Sequence, residues 1–307
     1  MSTRPHARLL RLACAAGSAR LAYRALTSRA GKSWIRTNHA GEPVTLLEGP
    51  AAAAGAAWSV LTVPGLAARE RIALTAAGLG AAAVGCYDDL AGSGDKRGFR
   101  GHLGALAQGE VTTGAVKLLG IGAAGLAAAI ALGADRPGWR RPVDVVINTG
   151  LVAGSANLLN LFDLRPGRAI KVLLLASGAL AAAGAGDAIA APAGAAIALL
   201  PEDLGERAML GDAGANALGA MAGVAAASAL SRRARLAVLT GVAGLTVMSE
   251  KVSFTKVIAR TPALDWLDQL GRRPPGPAGK QSPARAGTVR PEGGPPLRET
   301  AVPQPAP

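Results

Sequence analysis

Along the first 250 positions, apolar runs of roughly 17 to 20 residues alternate with short polar stretches, about the length an α-helix needs to cross the hydrocarbon core of a bilayer. The runs fall at 50–68, 72–87, 116–134, 143–161, 169–186, 188–200, 213–230 and 236–252. The run at 188–200 is short and contains Pro192, so its signal is the weakest. Residues 9–30 mix leucine and alanine with Arg11, Arg20, Arg24 and Arg29, which reads either as a further span or as an amphipathic surface helix. The interrupting arginines and the lack of a clear cleavage site argue against a cleaved signal peptide. With 9–30 counted, the pattern predicts an all-α, polytopic integral membrane protein of about nine transmembrane helices, within a range of eight to ten. From Gly271 onward the chain is rich in Pro, Gly and Arg without an apolar period. It divides into a membrane domain, 1–270, and a disordered tail, 271–307.

Composition refines this picture. Half of the residues are apolar but only 3% are aromatic, and alanine and glycine dominate. Alanine is weakly lipophilic, so each span is individually marginal, and small residues offset this by letting helix backbones approach closely. A net charge of +13 would suit a nucleic-acid partner. With no aromatic interleaving and no DNA-binding motif, basic loops beside membrane spans explain the charge better, and no nucleic acid is expected. Nine spans place the loops 31–49, 88–115, 162–168 and 201–212 and the C-terminus on one side. That side carries the lysines, so it is assigned to the cytoplasm. Arg136, Arg140, Arg141, Arg232, Arg233 and Arg235 fall on the other side, against the rule. Cys14 and Cys86 lie in apolar stretches and read as free thiols.

Candidate chemistry centres on Gly85 to Lys117, where an apolar run ends in Asp88 and Asp89 and a basic loop leads to Lys117. At a helix C-terminus the macrodipole disfavours each anion by up to about 1 kcal/mol. A divalent metal or Lys117 would compensate, unless the acids simply mark a solvated helix end. A second group is Asn157, Asn160 and Asp163; steps of three residues turn only about 60° around a helix, so all three can share a face. A lone Asn148 reads instead as helix-to-helix glue. A third is Asp212, which can be an N-cap or part of a site. Carboxylates gathered at a membrane surface suit Mg²⁺ held jointly by protein and substrate phosphates.

GCYDDL (85–90), NLLNLFD (157–163) and LGDAGANALG (210–219) follow one another in order and rough spacing. They resemble the signature loops of the polyprenyl-phosphate N-acetylhexosamine-1-phosphate transferases. This is glycosyltransferase family 4, which includes phospho-N-acetylmuramoyl-pentapeptide transferase. Lys117 resembles the family lysine, and Arg36 to Pro43 its first cytoplasmic loop; the likeness covers roughly residues 30–230. It implies a ten-helix fold in the cell membrane, with a homodimer as one oligomeric option, and Mg²⁺-dependent transfer of a sugar 1-phosphate from a UDP-amino sugar to polyprenyl phosphate. UMP is released, as a step of cell-envelope glycopolymer synthesis. The resemblance makes Asp88, Asp89, Asp163 and Lys117 catalytic and Asp212 and Asp89 metal ligands. It puts Asn157 and Asn160 on the nucleotide side as substrate-binding; Arg165, Arg168 and Lys256, which the family pattern does not carry, are substrate-binding candidates that could replace the histidines at the diphosphate, with Lys256 alternatively a positive-inside anchor. The chain departs from the pattern after Asp163, where Leu164-Arg165-Pro166-Gly167-Arg168 stands in place of the expected Gly-x-Asp-Gly-Leu, so the second aspartate is lost and two arginines appear. It also lacks the family's histidine cluster, since its histidines are His6, His39 and His102, and it has no apolar run after 252. Two readings follow: a divergent transferase, or a non-catalytic relative that binds polyprenyl phosphate or scaffolds an envelope assembly.

Overall fold

The computed structural model describes residues 4–29, 31–38, 40–91, 113–133 and 141–273. They form helices α1 (Arg4–Thr27), α2 (Glu48–Thr62), α3 (Ala68–Ala91), α4 (Thr113–Leu132), α5 (Arg141–Phe162), α6 (Arg168–Leu180), α7 (Gly186–Leu204), α8 (Gly211–Ala229), α9 (Arg232–Ser249), α10 (Phe254–Arg260) and α11 (Pro262–Gln269). A short hairpin, β1 (Ile35–Thr37) and β2 (Pro43–Thr45), interrupts the loop before α2. The Gly41-Glu42-Pro43 turn closes it, with Asn38 Oδ1 accepting from the N–H groups of Ala40 and Glu42.

Helix α8 is the axis of the fold. Almost every residue from Gly211 to Ala227 is buried, as expected for a helix that is apolar all round, and it packs against α2, α3, α5 and α7. Its glycines set the distances. Gly214 lies against Gly49 of α2, and Gly219 and Gly223 lie against Ala156 and Val152 of α5, so any side chain there would run into a neighbouring backbone. Helix α1 packs on α2 and α7, which resolves the 9–30 alternative in favour of a helix inside the bundle. Its arginines are tolerated because they are bonded: fully buried Arg11 donates to the carbonyls of Asp187 (3.1 Å) and Pro64 (2.7 Å).

By length and apolarity, three helical stretches could cross a membrane: Thr113–Leu132, Arg141–Phe162 and Arg168–Leu204. The pair Arg232–Ser249 and Phe254–Arg260, bent by 97°, makes a fourth. The other described helices fall short because they are brief, charged or rich in alanine and glycine. Arg168–Leu204 is not a single rod. The chain reverses at Gly184 (φ 96°), and Gly167, just before α6, touches Leu204 at the end of α7. The weak run at 188–200 is thus a full helix, α7, that continues through Pro192.

Arg232 and Arg235, which break the charge rule, are not free charges. Both bind Asp144 (2.6 and 3.0 Å), and Arg235 donates to Asn148 (2.6 Å), so Asn148 does glue α5 to α9. Arg136 and Arg140 lie outside the described residues. Cys14 and Cys86 are free and half-buried. The expected start of the tail is three residues too early: Arg272 pairs with Asp268 and donates to the Pro166 carbonyl, and Arg273 pairs with Glu42, so 271–273 belong to the fold. The rest of the tail, from 274, lies outside the described residues.

Candidate functional site

Helix α3 ends beside the start of α8, because Gly85 lets its backbone meet Asp212 and Ala213 directly. One turn later, Asp89 reaches across. Its Oδ1 accepts from the N–H of Asp212 and its Oδ2 from that of Ala213, both at 3.0 Å. The carboxylate disfavoured by its own helix C-terminus thereby caps the positive N-terminus of α8, which has no side-chain cap of its own. Gly211 (φ 59°) is required here, since a Cβ would sit 3.0 Å from Asp89 Oδ2. Arg36 of β1 donates to the Asp89 carbonyl and supplies the positive charge that the end of α3 needs.

Asp212 is therefore not an N-cap. Its side chain meets Lys117, whose Nζ lies 2.7 Å from Asp212 Oδ1 and 3.1 Å from Asp88 Oδ2. Thr113, one turn before Lys117 on α4, also bonds Asp88. Burial pushes Asp88 up, but its hydrogen bond to Asp212, together with Lys117, outweighs burial and holds it below the usual carboxylate range. Burial, then the bond to Asp88, pushes Asp212 up to about 7. The two carboxyl groups behave as one unit that shares a proton near neutrality. Burial also raises Asp89, against the opposing pull of the N–H groups it caps.

The expected metal role of Asp89 meets a competing use, because both its oxygens are bound to backbone N–H groups. Asp88 and Asp212 are the hard oxygen donors that converge, which fits a Mg²⁺ ion that keeps water and substrate ligands. Among the described residues no group of three metal-capable side chains gathers.

Asn157, Asn160 and Asp163 do not act as one face. Asp163 directly follows α5, its N–H still bonding the Asn160 carbonyl (3.1 Å), and is buried. Asn157 is exposed and donates to Thr246 of α9 at 3.5 Å, and Asn160 is half-buried. Arg168 is buried in a bidentate pair with Asp268 (2.8 and 2.9 Å) and also donates to Thr255, which docks α10 and α11 on α6. That engagement competes with the expected substrate role. Lys256 is exposed on α10, and Arg165 borders a cleft with Asp163. His6 lies on α1 near the Arg8–Asp187 pair, away from these acids; His39 and His102 are outside the described residues.

Sequence reasoning passed over Thr113, Glu48 and Asp203. Asp203, nine positions before Asp212, and Glu48, opening an apolar run, each sit where a cytoplasmic helix end was predicted, and that position was the available signal. Neither models of protein families nor curated protein sequences match this chain.

Proposed function

We propose that the chain is a divergent member of the polyprenyl-phosphate N-acetylhexosamine-1-phosphate transferases, with nine spans, α1 to α9, in the cell membrane and its acidic end at the cytoplasmic face. Asp88, Asp203 and Asp212 lie in the terminal turns of α3, α7 and α8 and Asp163 just after α5, beyond the membrane-embedded parts of these helices. The observation that carries this reading is Lys117 bound at once to Asp88 and Asp212, which unites two of the three resembling motifs around one charge centre. The hairpin at Gly184 supports the span count, because it turns one long apolar stretch into two helices.

Phosphoryl transfer is catalysed mainly by positioning and charge neutralisation. A lipid phosphate is largely dianionic near neutral pH, with a second pKa of about 6, so its oxygen can attack without a strong base. That suits an Asp88 held below the usual range. A new bond forms between that oxygen and the sugar-bearing phosphorus of the UDP-amino sugar as the bond to the departing UMP oxygen breaks. Lys117 offers its ammonium to the phosphates in exchange for carboxylates. Asp89 positions α8 so that Asp212 faces Asp88. Asp88 and Asp212 would hold Mg²⁺, whose chemistry there is to offset charge on the diphosphate.

The test is Mg²⁺-dependent UMP release by the purified chain with undecaprenyl phosphate, offering UDP-N-acetylglucosamine and UDP-N-acetylmuramoyl-pentapeptide in turn, with Asp212→Asn as the blank. Release that the variant loses is expected. Lipid binding without release from either donor would sink the transferase reading and favour the non-catalytic relative, which draws on the engagement of Arg168 by Asp268.

A further inference from the structure

A second group of acids borders the Lys117 centre: Asp163 accepts from the Gly211 N–H, next to Asp212, and feels the charges of Asp212 and Asp89. A cleft of about 170 Å³ opens between the β hairpin, the turn after α5 and the loop before α8, and Asp163 and Asp203 both line it. Asp163 is 8% exposed and Asp203 2%, yet Asp163 Oδ2 and Asp203 Oδ2 have no hydrogen-bond partner among the described residues. The other side of Asp203 accepts from the Gly167 N–H. Glu48 is fully buried with both oxygens unpartnered, and its charge couples to Asp203 and Asp163. Nearby Glu202, by contrast, is matched by Arg20 (2.6 Å) and Arg207 (2.6 Å). Arg165 borders the cleft without bonding either open oxygen, and Glu206 is committed to Asn38 (2.7 Å).

Buried carboxylates left unpaired are costly, and in folded proteins they are paired or hold cations. At about 30 Å³ per water, the cleft has room for several waters. One or two carboxylates with a shell of retained water is how Mg²⁺-like ions are commonly held, and such a site needs no third protein carboxylate.

We propose that this cleft is a cation site separate from the Lys117 centre, in which Asp163 Oδ2 and Asp203 Oδ2 hold a hydrated divalent ion. The site does not depend on the transferase reading. An ion here would tie the turn after α5 to the end of α7, next to the loop that feeds α8.

Mn²⁺ is the probe, read by loss of its free-ion electron paramagnetic resonance signal and by thermal shift, on the full chain in detergent without substrate. Wild type should bind Mn²⁺ and melt at higher temperature with it. Asp203→Asn, which keeps the shape and the Gly167 contact, should weaken binding at least about 10-fold and lose the thermal shift, whereas Asp144→Asn, at the opposite end of the bundle, should stay within about 2-fold. The melting temperature of ion-free Asp203→Asn reports whether the variant folds. Mn²⁺ binding and thermal shift unchanged in Asp203→Asn, or Mn²⁺ binding absent from wild type, would each overturn the site. Because no turnover is read, these results stand apart from the UMP assay.

Discussion

At one end of the bundle, Asp144 gives both carboxylate oxygens to Arg232 and Arg235, Arg235 reaches Asn148, and Asp187 faces Arg8 and Arg11. At the other, Asp88, Asp89 and Asp212 crowd around Lys117, while Asp163, Asp203 and Glu48 keep open oxygens. Both ends place charge at helix termini, but at the first each carboxylate is met by two arginines and each pair joins two helices. The second carries an excess of carboxylates that holding helices together does not require. Burying unmatched carboxylates costs stability, and on the proposed function a cation and substrate phosphates would complete the charge at that end.

The largest effect should come from the acidic end. Lys117→Met leaves Asp88 and Asp212 facing each other without a cation, and UMP release should fall about 10²- to 10³-fold while the fold persists. A variant that turns over like wild type would make Lys117 a helix-pairing cation, no different in kind from Arg235. The next effect is on pH dependence. Burial pushes Asp203 up to about 7, so the folded chain keeps a proton that the unfolded chain releases near pH 4. The associated stability is full below that pH and is lost as pH rises through 7. In chelator, Asp203→Asn should flatten this decline, by on the order of 3 kcal/mol. Melting curves from pH 4 to 8 that keep the wild-type slope would move the proton to Glu48 or Asp163.

The same contrast explains what could be read from the chain beforehand. Helix positions followed from apolar runs, because backbone hydrogen bonding in a low-dielectric setting leaves few alternatives. Asp88, Lys117 and Asp212 stood out because charge at the edge of an apolar run is conspicuous. Pairing was not legible. Nothing local says that Asp89 caps a helix 123 residues away, since only the Gly85 crossing brings the two together. Asn157, Asn160 and Asp163 differ in surroundings because Asn157 is exposed toward Thr246 of α9 whereas Asp163 is buried at the end of α5, which spacing alone did not show. The arginines at 232 and 235 looked like violations of the charge rule because their partner, Asp144, lies on another helix.

One substitution tests the arginine-paired end and another the seam between the ends. Arg235→Ala removes a buried guanidinium from Asp144 and Asn148; Asp144 is only partly buried and keeps Arg232. The expected cost is about 1–3 kcal/mol of stability, seen as a lower melting temperature, with UMP release per folded molecule unchanged. A loss of turnover without a loss of stability would mean the two ends are coupled. The smallest effect is expected at Asn157, on the seam between the ends. Its exposed, 3.5 Å contact with Thr246 is at the long limit of a hydrogen bond, so Asn157→Ala should cost less than about 0.5 kcal/mol. Its value lies in the kinetics. If Asn157 serves only α9, KM for the UDP-sugar stays where it was; a raised KM at constant stability would return this residue to the nucleotide side and draw the acidic site one turn further up α5.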